Sequence, residues 1–238
     1  MSSLWNLFVK KWKVHRKNKT ALETMGRRCV SRNQALALMQ CIEYLTQNIS
    51  TLGLFITPGN PRHLFKILRK IEIGDVKLIN YLTETSAPRE CAIAFNRFIR
   101  SHKISILPER ATKLLCASND EIPRRLIALD VLNLIHHESD GIRLQLAKAY
   151  LQMMQQLTLR GYITPTEIRI AIGPYLAFPA LFPGKNCMQH IAAKSGTLLE
   201  LLLNVHLLDD AQMLSTELQE ETSRLHRRQE EFANSSEN

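Results

Sequence analysis

The sequence of 238 residues lacks most features that mark an enzyme, a secreted protein or a membrane protein. It has no glycine-rich phosphate loop, no zinc-protease or kinase motif, and no two cysteines spaced as CxxC. Its longest apolar run, Leu198 to Leu208, is interrupted by Glu200 and Asn204 and is too short for a bilayer of roughly 30 Å. Nine glycines and nine prolines are few, which favours long helices over a turn-rich β protein.

The cysteine and histidine residues do not form a recognisable reactive or metal site. The five cysteines are scattered and odd in number, and we expect no secretory leader, so the pattern indicates free thiols in the cytoplasm. Cys187 and His190 are spaced like two zinc ligands, but no second pair accompanies them. We interpret His136, His137 and Glu138 as a solvated helix end, because adjacent residues point to different sides of a helix. We therefore predict no metal, no cofactor and no thiol nucleophile.

Charge is concentrated at the two ends of the sequence. Residues 1–32 contain nine lysines and arginines and one acidic residue, a net charge of +8 within a chain total of +9. Residues 209–238 contain eight acidic residues and three arginines, a net charge of −5. The high pI therefore reflects mainly an N-terminal arm, and we expect no nucleic-acid binding by the body of the protein.

The spacing of apolar residues predicts an all-α fold of about eight or nine helices, with no sustained strand alternation. We divide the chain into a basic, partly amphipathic arm (1–30), a helical domain (31–208) and an acidic, helical and then frayed tail (209–238). Proline and glycine residues predict where helices begin and end. In the helical domain, helices are predicted at 31–48, 61–73, within 75–87, and at 92–99, 109–117, 123–139, 142–160, 164–173 and 188–208. A loop is predicted at 52–60 and another before Pro88. The tail is predicted to be helical at 217–232.

Three segments carry a resemblance to a known domain. The loop Gly53–Asn60 reads GLFITPGN and resembles the GxFRxxG signature of Rho GTPase-activating (Rho GAP) domains. The pattern Ala92-x3-Asn96-x3-Arg100 with Leu107-Pro108 resembles the family's A-x3-K-x3-R helix and its LPEPLLP turn. Residues 163–176 resemble the late M-T-x-x-N-L…F-G-P-x-L signature. The order and spacing of these segments match the family over residues 31–208, and the sequence most resembles the Rho GTPase-activating protein nineteen group. The resemblance implies a Rho GAP-like helical bundle. It also implies a role in signalling by Rho-family GTPases.

The departures from the family pattern bear on catalysis. The arginine of GxFRxxG is the finger that stabilises charge on the transferred phosphoryl group, an effect of roughly 10³–10⁵ in rate. Ile56 stands at that position and has neither charge nor donor. Asn96 replaces the family lysine and Glu167 the late asparagine, so that Arg100 alone remains of the polar cluster. The resemblance thus implies a domain that lacks catalytic residues.

Two classes of function follow from the resemblance. The first is a pseudo-GAP, which binds a Rho-family small GTPase without stimulating GTP hydrolysis. The alternative is an active GTPase-activating protein with a non-standard site. In that case Arg62 could supply the guanidinium. We expect Arg100 to hold the loop through a salt bridge and Asn96 to be a surface residue. The candidate GTPase-interface residues are Ile56, Thr57, Arg62, Asn96, Arg100 and Glu167.

The arm allows three interpretations. First, the aromatic and basic side chains of residues 1–20 could bind an anionic membrane surface. Second, the aromatic side chains could pack on the domain while the lysines face water. Third, the same basic run is typical of a nuclear localisation signal. The membrane-surface candidates are Trp5, Phe8, Lys10, Lys11, Trp12 and Lys13. The last predicted helix has too few apolar residues for a coiled coil, so we expect it to be a solvated helix.

Overall fold

The structure, a computed structural model, describes residues 30–101, 106–117, 121–139, 141–159 and 195–235. These residues form α-helices and one 3-10 helix, and no strand occurs among them. The all-α prediction is therefore confirmed. The nine α-helices in the described ranges are α1 (Arg32–Gln47), α2 (Pro61–Ile73), α3 (Leu78–Thr85), α4 (Pro88–Ser101), α5 (Glu109–Cys116), α6 (Arg124–Glu138), α7 (Gly141–Leu159), α8 (Ser195–Leu203) and α9 (Ala211–Ser235), and the 3-10 helix is Val205–Asp209.

Local sequence explains where the first two helices begin and end. Ser31 and Gln34 form a capping box at the start of α1, in which each side chain accepts a hydrogen bond from the backbone N–H of the other. The Asn60 side chain caps α2, and Pro61 occupies its first turn. Gly74 ends α2 in the left-handed conformation, with φ of +70°. The loop 52–60 thus lies between two helices with well-defined ends.

Helices α1 and α7 pack against each other between two groups of helices. On one side, α1 also packs against α2, α3 and α4. On the other side, α7 contacts α6 and α8, and α6 packs against α5, α8 and α9. We call these the α2–α4 side and the α6–α9 side. The buried apolar side chains of both sides form one continuous core. Phe95 of α4 and Tyr150 of α7 stack at 5.3 Å between ring centroids, which joins the α2–α4 side to the centre of the molecule.

Helices α2 and α4 lie side by side and run in the same direction. The backbone N–H of Asn60, at the start of α2, donates to Glu90 at the start of α4. One to two turns further along, the Arg97 guanidinium lies 5.5 Å from the centroid of the Phe65 ring. Ile67 and Ile71 lie on the inner side of α2 and are buried in the core. The outer sides of the two helices therefore form one shared surface.

The C-terminal part differs from the sequence prediction in one respect and extends it in another. The predicted helix over 188–208 is interrupted: α8 ends at Leu203, and a 3-10 helix follows. Asn204 explains the break, because its side chain donates to the Glu200 carbonyl and competes with helix continuation. The last helix begins six residues before the predicted start, where Asp210 accepts hydrogen bonds from the first-turn N–H groups of α9. Leu214 is buried, so the start of α9 packs on the domain.

Candidate protein-binding site

The loop 52–60 is a tight turn that presents Ile56 to solvent. Gly53 has φ of +65°, and its carbonyl accepts hydrogen bonds from the N–H groups of Ile56 and Thr57, at 3.1 and 2.8 Å. Leu54 and Phe55 turn inward and join the core. The Ile56 side chain is 53% exposed as a result. The position that corresponds to the family finger is thus an apolar side chain on an anchored loop.

The N-terminus of α4 holds this loop in place. Arg89 Nε donates to the Leu52 carbonyl at 3.1 Å, and Glu90 Oε1 accepts from the Asn60 N–H at 2.5 Å. Glu90 approaches so closely that a Cβ on Gly59 would lie 2.2 Å from its carboxyl carbon. No local pattern in the sequence marks these contacts, because the partners are 30 and 37 residues apart. The sequence signal that could have found them is the pair of charged residues directly after Pro88.

Arg62 lies next to the loop with an exposed side chain. Its backbone N–H donates to Asn60 Oδ1 at 2.9 Å, so the start of α2 fixes its backbone. Within the described ranges its guanidinium has no ion-pair partner. A cation in the first turn of a helix is unfavourable to the helix dipole. Helix stability therefore does not account for this arginine.

Asn96 is not the surface residue that the sequence analysis expected. It is 6% exposed, and its Oδ1 has no hydrogen-bond partner among the described residues. The spacing of Ala92, Asn96 and Ile99 explains the error, because residues four and three apart share one side of a helix, and this side of α4 is buried. The Asn96 side chain therefore offers little exposed surface in this structure.

Arg100 does not hold the loop. It lies in the last turn of α4, about 15 Å along the helix axis from Glu90 at 1.5 Å per residue. Its side chain is exposed, and no ion pair within the described ranges includes it. The expected salt bridge to the loop is therefore wrong, and Arg89 and Glu90 take that role.

Ile56 and Thr57 thus lie in the loop and Arg62 in the first turn of the helix that follows it, whereas Asn96 is buried and Arg100 lies in the last turn of α4. The other candidates lie outside the described residues, namely Glu167 and the arm residues Trp5, Phe8, Lys10, Lys11, Trp12 and Lys13.

Buried ionisable groups lie elsewhere in the fold. Burial raises the pKa of the Cys91 thiol well above its usual value, and neighbouring Cys41 acts in the same direction. This thiol is therefore a poor nucleophile at neutral pH. Burial also raises the pKa of the Asp130 carboxyl in α6, which the Arg110 charge partly offsets. Among the residues that the structure describes, no group of three His, Cys, Asp or Glu side chains is placed to hold a metal.

A groove of about 670 Å³ lies between α1 and α7, and no residue of the loop 52–60 lines it. Leu36, Met39 and Met153 contribute its apolar walls, and Gln152 and Gln156 line its rim. It does not contain any of the residues that the sequence analysis selected.

Comparison with known proteins gave no match to a protein-family model, to a curated protein or to a solved structure. The likeness to Rho GAP domains therefore stays a prediction from the sequence signatures. No helix in the described part of the chain is long and apolar enough to cross a bilayer.

Proposed function

We propose that this chain is a Rho GAP-like protein that binds a Rho-family small GTPase and does not accelerate GTP hydrolysis. The proposal combines the ordered sequence signatures with an all-α fold in which a helix, the loop 52–60 and a second helix follow one another. Fold alone is weak support for activity, so the proposal depends on the loop.

The observation that carries the proposal is the exposed Ile56 side chain on an anchored loop. An arginine finger requires a guanidinium beside the nucleotide phosphates, and isoleucine can contribute only apolar contact area. Exposed apolar residues near the centre of a docking surface are typical of protein interfaces. The loop is therefore suited to binding a protein and not to stabilising phosphoryl charge.

The residues at the family's other polar positions also support a domain that does not accelerate GTP hydrolysis. The position of the family lysine is Asn96, which is buried and lies beneath the surface of α4. Arg100 is exposed, but it lies about 15 Å along α4 from the residues that hold the loop. Among the described residues, the cations next to the loop are Arg62 and Arg89, and Arg89 is already engaged with the Leu52 carbonyl.

Arg62 supports the alternative, an active GTPase-activating protein with a non-standard site. Its guanidinium is exposed and has no ion-pair partner in the described ranges, so it is available to reach a nucleotide. Its backbone, however, is fixed by the Asn60 cap in the first turn of α2. A finger on this regular helix would depend on side-chain reach alone.

The experiment is single-turnover GTP hydrolysis by a panel of Rho-family GTPases with the chain in excess. We expect no stimulation by the native chain. Ile56→Arg tests whether the loop is in finger position, with Thr57→Arg as a control that adds the same charge one residue away. A gain of about 10³-fold for Ile56→Arg alone would match the size of a finger effect.

Two results would contradict the proposal. Stimulation of about 10³-fold by the native chain would show a working site, and its loss in Arg62→Ala would assign the finger to Arg62. Equal effects of Ile56→Arg and Thr57→Arg would show that the loop is not in finger position.

A further inference from the structure

The outer sides of α2 and α4 form a basic surface with apolar side chains within it. On α2, residues 62, 66, 69 and 73 are four, three and four residues apart, so they share one side of the helix, opposite buried Ile67 and Ile71. The stripe is about 16 Å long. The basic face, as we name it, consists of Arg62, Phe65, Lys66, Arg69 and Ile73 on α2 and Arg97 and Arg100 on α4.

The cations of the basic face are not paired with acidic side chains in the part of the chain that the structure describes. No ion pair among the described residues includes any of its five lysines and arginines. The nearest acidic residues on the two helices are Glu72, which is exposed, and Glu90, which accepts the Asn60 N–H. Five like charges on adjacent helices repel one another weakly in water and create a positive potential that attracts an anionic partner.

Apolar side chains are exposed among these charges. Phe65 is 57% exposed, with the Arg97 guanidinium over its ring, and Ile73 is 68% exposed. The surface thus contains both kinds of residue that interfacial helices use at a membrane, namely cations and large apolar side chains. Phosphate recognition alone would use the cations and would not explain the exposed Ile73.

The start of α1 lies at one end of this face. Gln34, in the first turn of α1, donates from Nε2 to the Glu72 carbonyl at 2.8 Å. Asn33 lies against the end of α2, because a Cβ on Gly74 would be 2.6 Å from the Asn33 Cβ. The described part of the chain therefore begins beside the end of α2. The sequence before it contains lysines, arginines, Trp5 and Trp12.

We propose that the basic face docks this chain onto an anionic lipid bilayer. The cations contact lipid headgroups, and Phe65 and Ile73 enter the interfacial region. The face thus offers both the electrostatic and the apolar contacts that peripheral attachment to a bilayer uses. This inference does not depend on the proposed GTPase function.

The test is sedimentation of the full chain with phosphatidylcholine vesicles and with vesicles that also contain phosphatidylserine. The face variant is Lys66→Gln, Arg69→Gln and Arg97→Gln, which leaves Arg62 and the loop unchanged. The control variant removes three exposed arginines elsewhere, Arg143→Gln, Arg227→Gln and Arg228→Gln, for the same change in net charge. Thermal unfolding checks that both variants fold, and Lys66→Gln with Arg69→Gln replaces the triple variant if it does not fold.

We expect the native chain to bind the phosphatidylserine vesicles and to leave phosphatidylcholine vesicles unbound. Because a basic residue near such a surface contributes about 1 kcal/mol, the face variant should bind on the order of 100-fold more weakly. The control should change binding by less than about threefold, as expected for charges far from the surface. Phe65→Ser should weaken binding further at high salt, where the electrostatic part is screened.

Three outcomes would overturn the inference. Equal losses in the face and control variants would show that net charge alone matters. Native-level binding by the face variant, with loss on replacing Lys10, Lys11 and Lys13 by glutamine, would assign binding to the arm alone. Absence of binding to the phosphatidylserine vesicles by the native chain, with binding to an acidic polypeptide or an oligonucleotide, would show a partner of another class.

Discussion

The two sides of this molecule use charged residues in opposite ways. On the α6–α9 side, Arg125 pairs with Glu217 at 2.5 Å across α6 and α9, and Arg224 pairs with Glu221 along α9. On the α2–α4 side, Lys70–Asp75 is the one ion pair among residues 30–101, and the cations of the basic face have none. The charges of one side therefore help to hold the fold together. Those of the other side remain available to a partner.

The largest expected change in the free energy of unfolding comes from replacing a buried aromatic residue of the α2–α4 side, and an exposed aromatic residue of the same side serves as the comparison. Phe95 is buried and stacks on Tyr150, so Phe95→Ala should lower the free energy of unfolding by about 3–5 kcal/mol. The exposed Phe65 is the matched control, and Phe65→Ala should cost less than about 1 kcal/mol. Urea unfolding measures both. Similar costs would show that the outer sides of α2 and α4 are packed and not free.

A smaller effect tests the junction between α1 and the end of α2. Gly74→Ala should cost about 2–3 kcal/mol, because φ is +70° and the new Cβ would be 2.8 Å from the Asn33 carbonyl carbon. Gly141→Ala is the control, since φ is +45° but no atom lies within 4 Å, and it should cost about 1 kcal/mol. Thermal unfolding compares the two variants. An equal loss would contradict the close approach of the start of α1 to the end of α2.

The paired charges of the α6–α9 side should be coupled weakly but measurably. A double-mutant cycle on Arg125→Ala and Glu217→Ala should give a coupling of about 0.5–1 kcal/mol, the range of partly exposed ion pairs. A second cycle with Lys66→Ala and Glu217→Ala should be additive, because Lys66 has no ion-pair partner in the described ranges. If only the second cycle showed coupling, the contrast between paired charges on the α6–α9 side and unpaired charges on the basic face would be wrong.

The smallest effect concerns pH and Asp130. Its pKa is raised by burial in the folded protein, so the native state keeps this proton at a pH where the unfolded chain has lost it. The free energy of unfolding should therefore fall as pH rises from the unfolded pKa, about 3.9, to the folded pKa. Asp130→Asn should remove that part of the pH dependence and stabilise the protein at neutral pH. A variant that is less stable than the native chain at pH 7 would show that the ionised carboxylate is needed.

The sequence predicted the helices well because proline and glycine punctuate the apolar periodicity. Pro61 and Gly74 bound α2, and α6 ends at Glu138 and α7 begins at Gly141, where the sequence predicted a break. The interruption at Asn204 was missed, since a single asparagine within an apolar run does not by itself end a helix.

The candidate site was predicted less well, because it depends on how helices face one another. The sequence located the loop and the exposed Ile56 but not the two residues of α4 that hold it, which are distant in sequence. Asn96 was placed on the surface because it is polar, although its spacing from Ala92 and Ile99 puts it on the buried side of α4. The basic face was also missed, since its two halves come together only when α2 and α4 pack in parallel.

The most direct measurement is equilibrium binding of the full chain to Rho-family GTPases loaded with a non-hydrolysable GTP analogue. We predict association with at least one member, weakened by about tenfold or more in Ile56→Asp, since a charge at an interface centre costs more than about 1.4 kcal/mol. Arg227→Gln with Arg228→Gln, on α9, should leave the affinity unchanged. Absence of association with every member, or a loss in the α9 variant alone, would contradict the account.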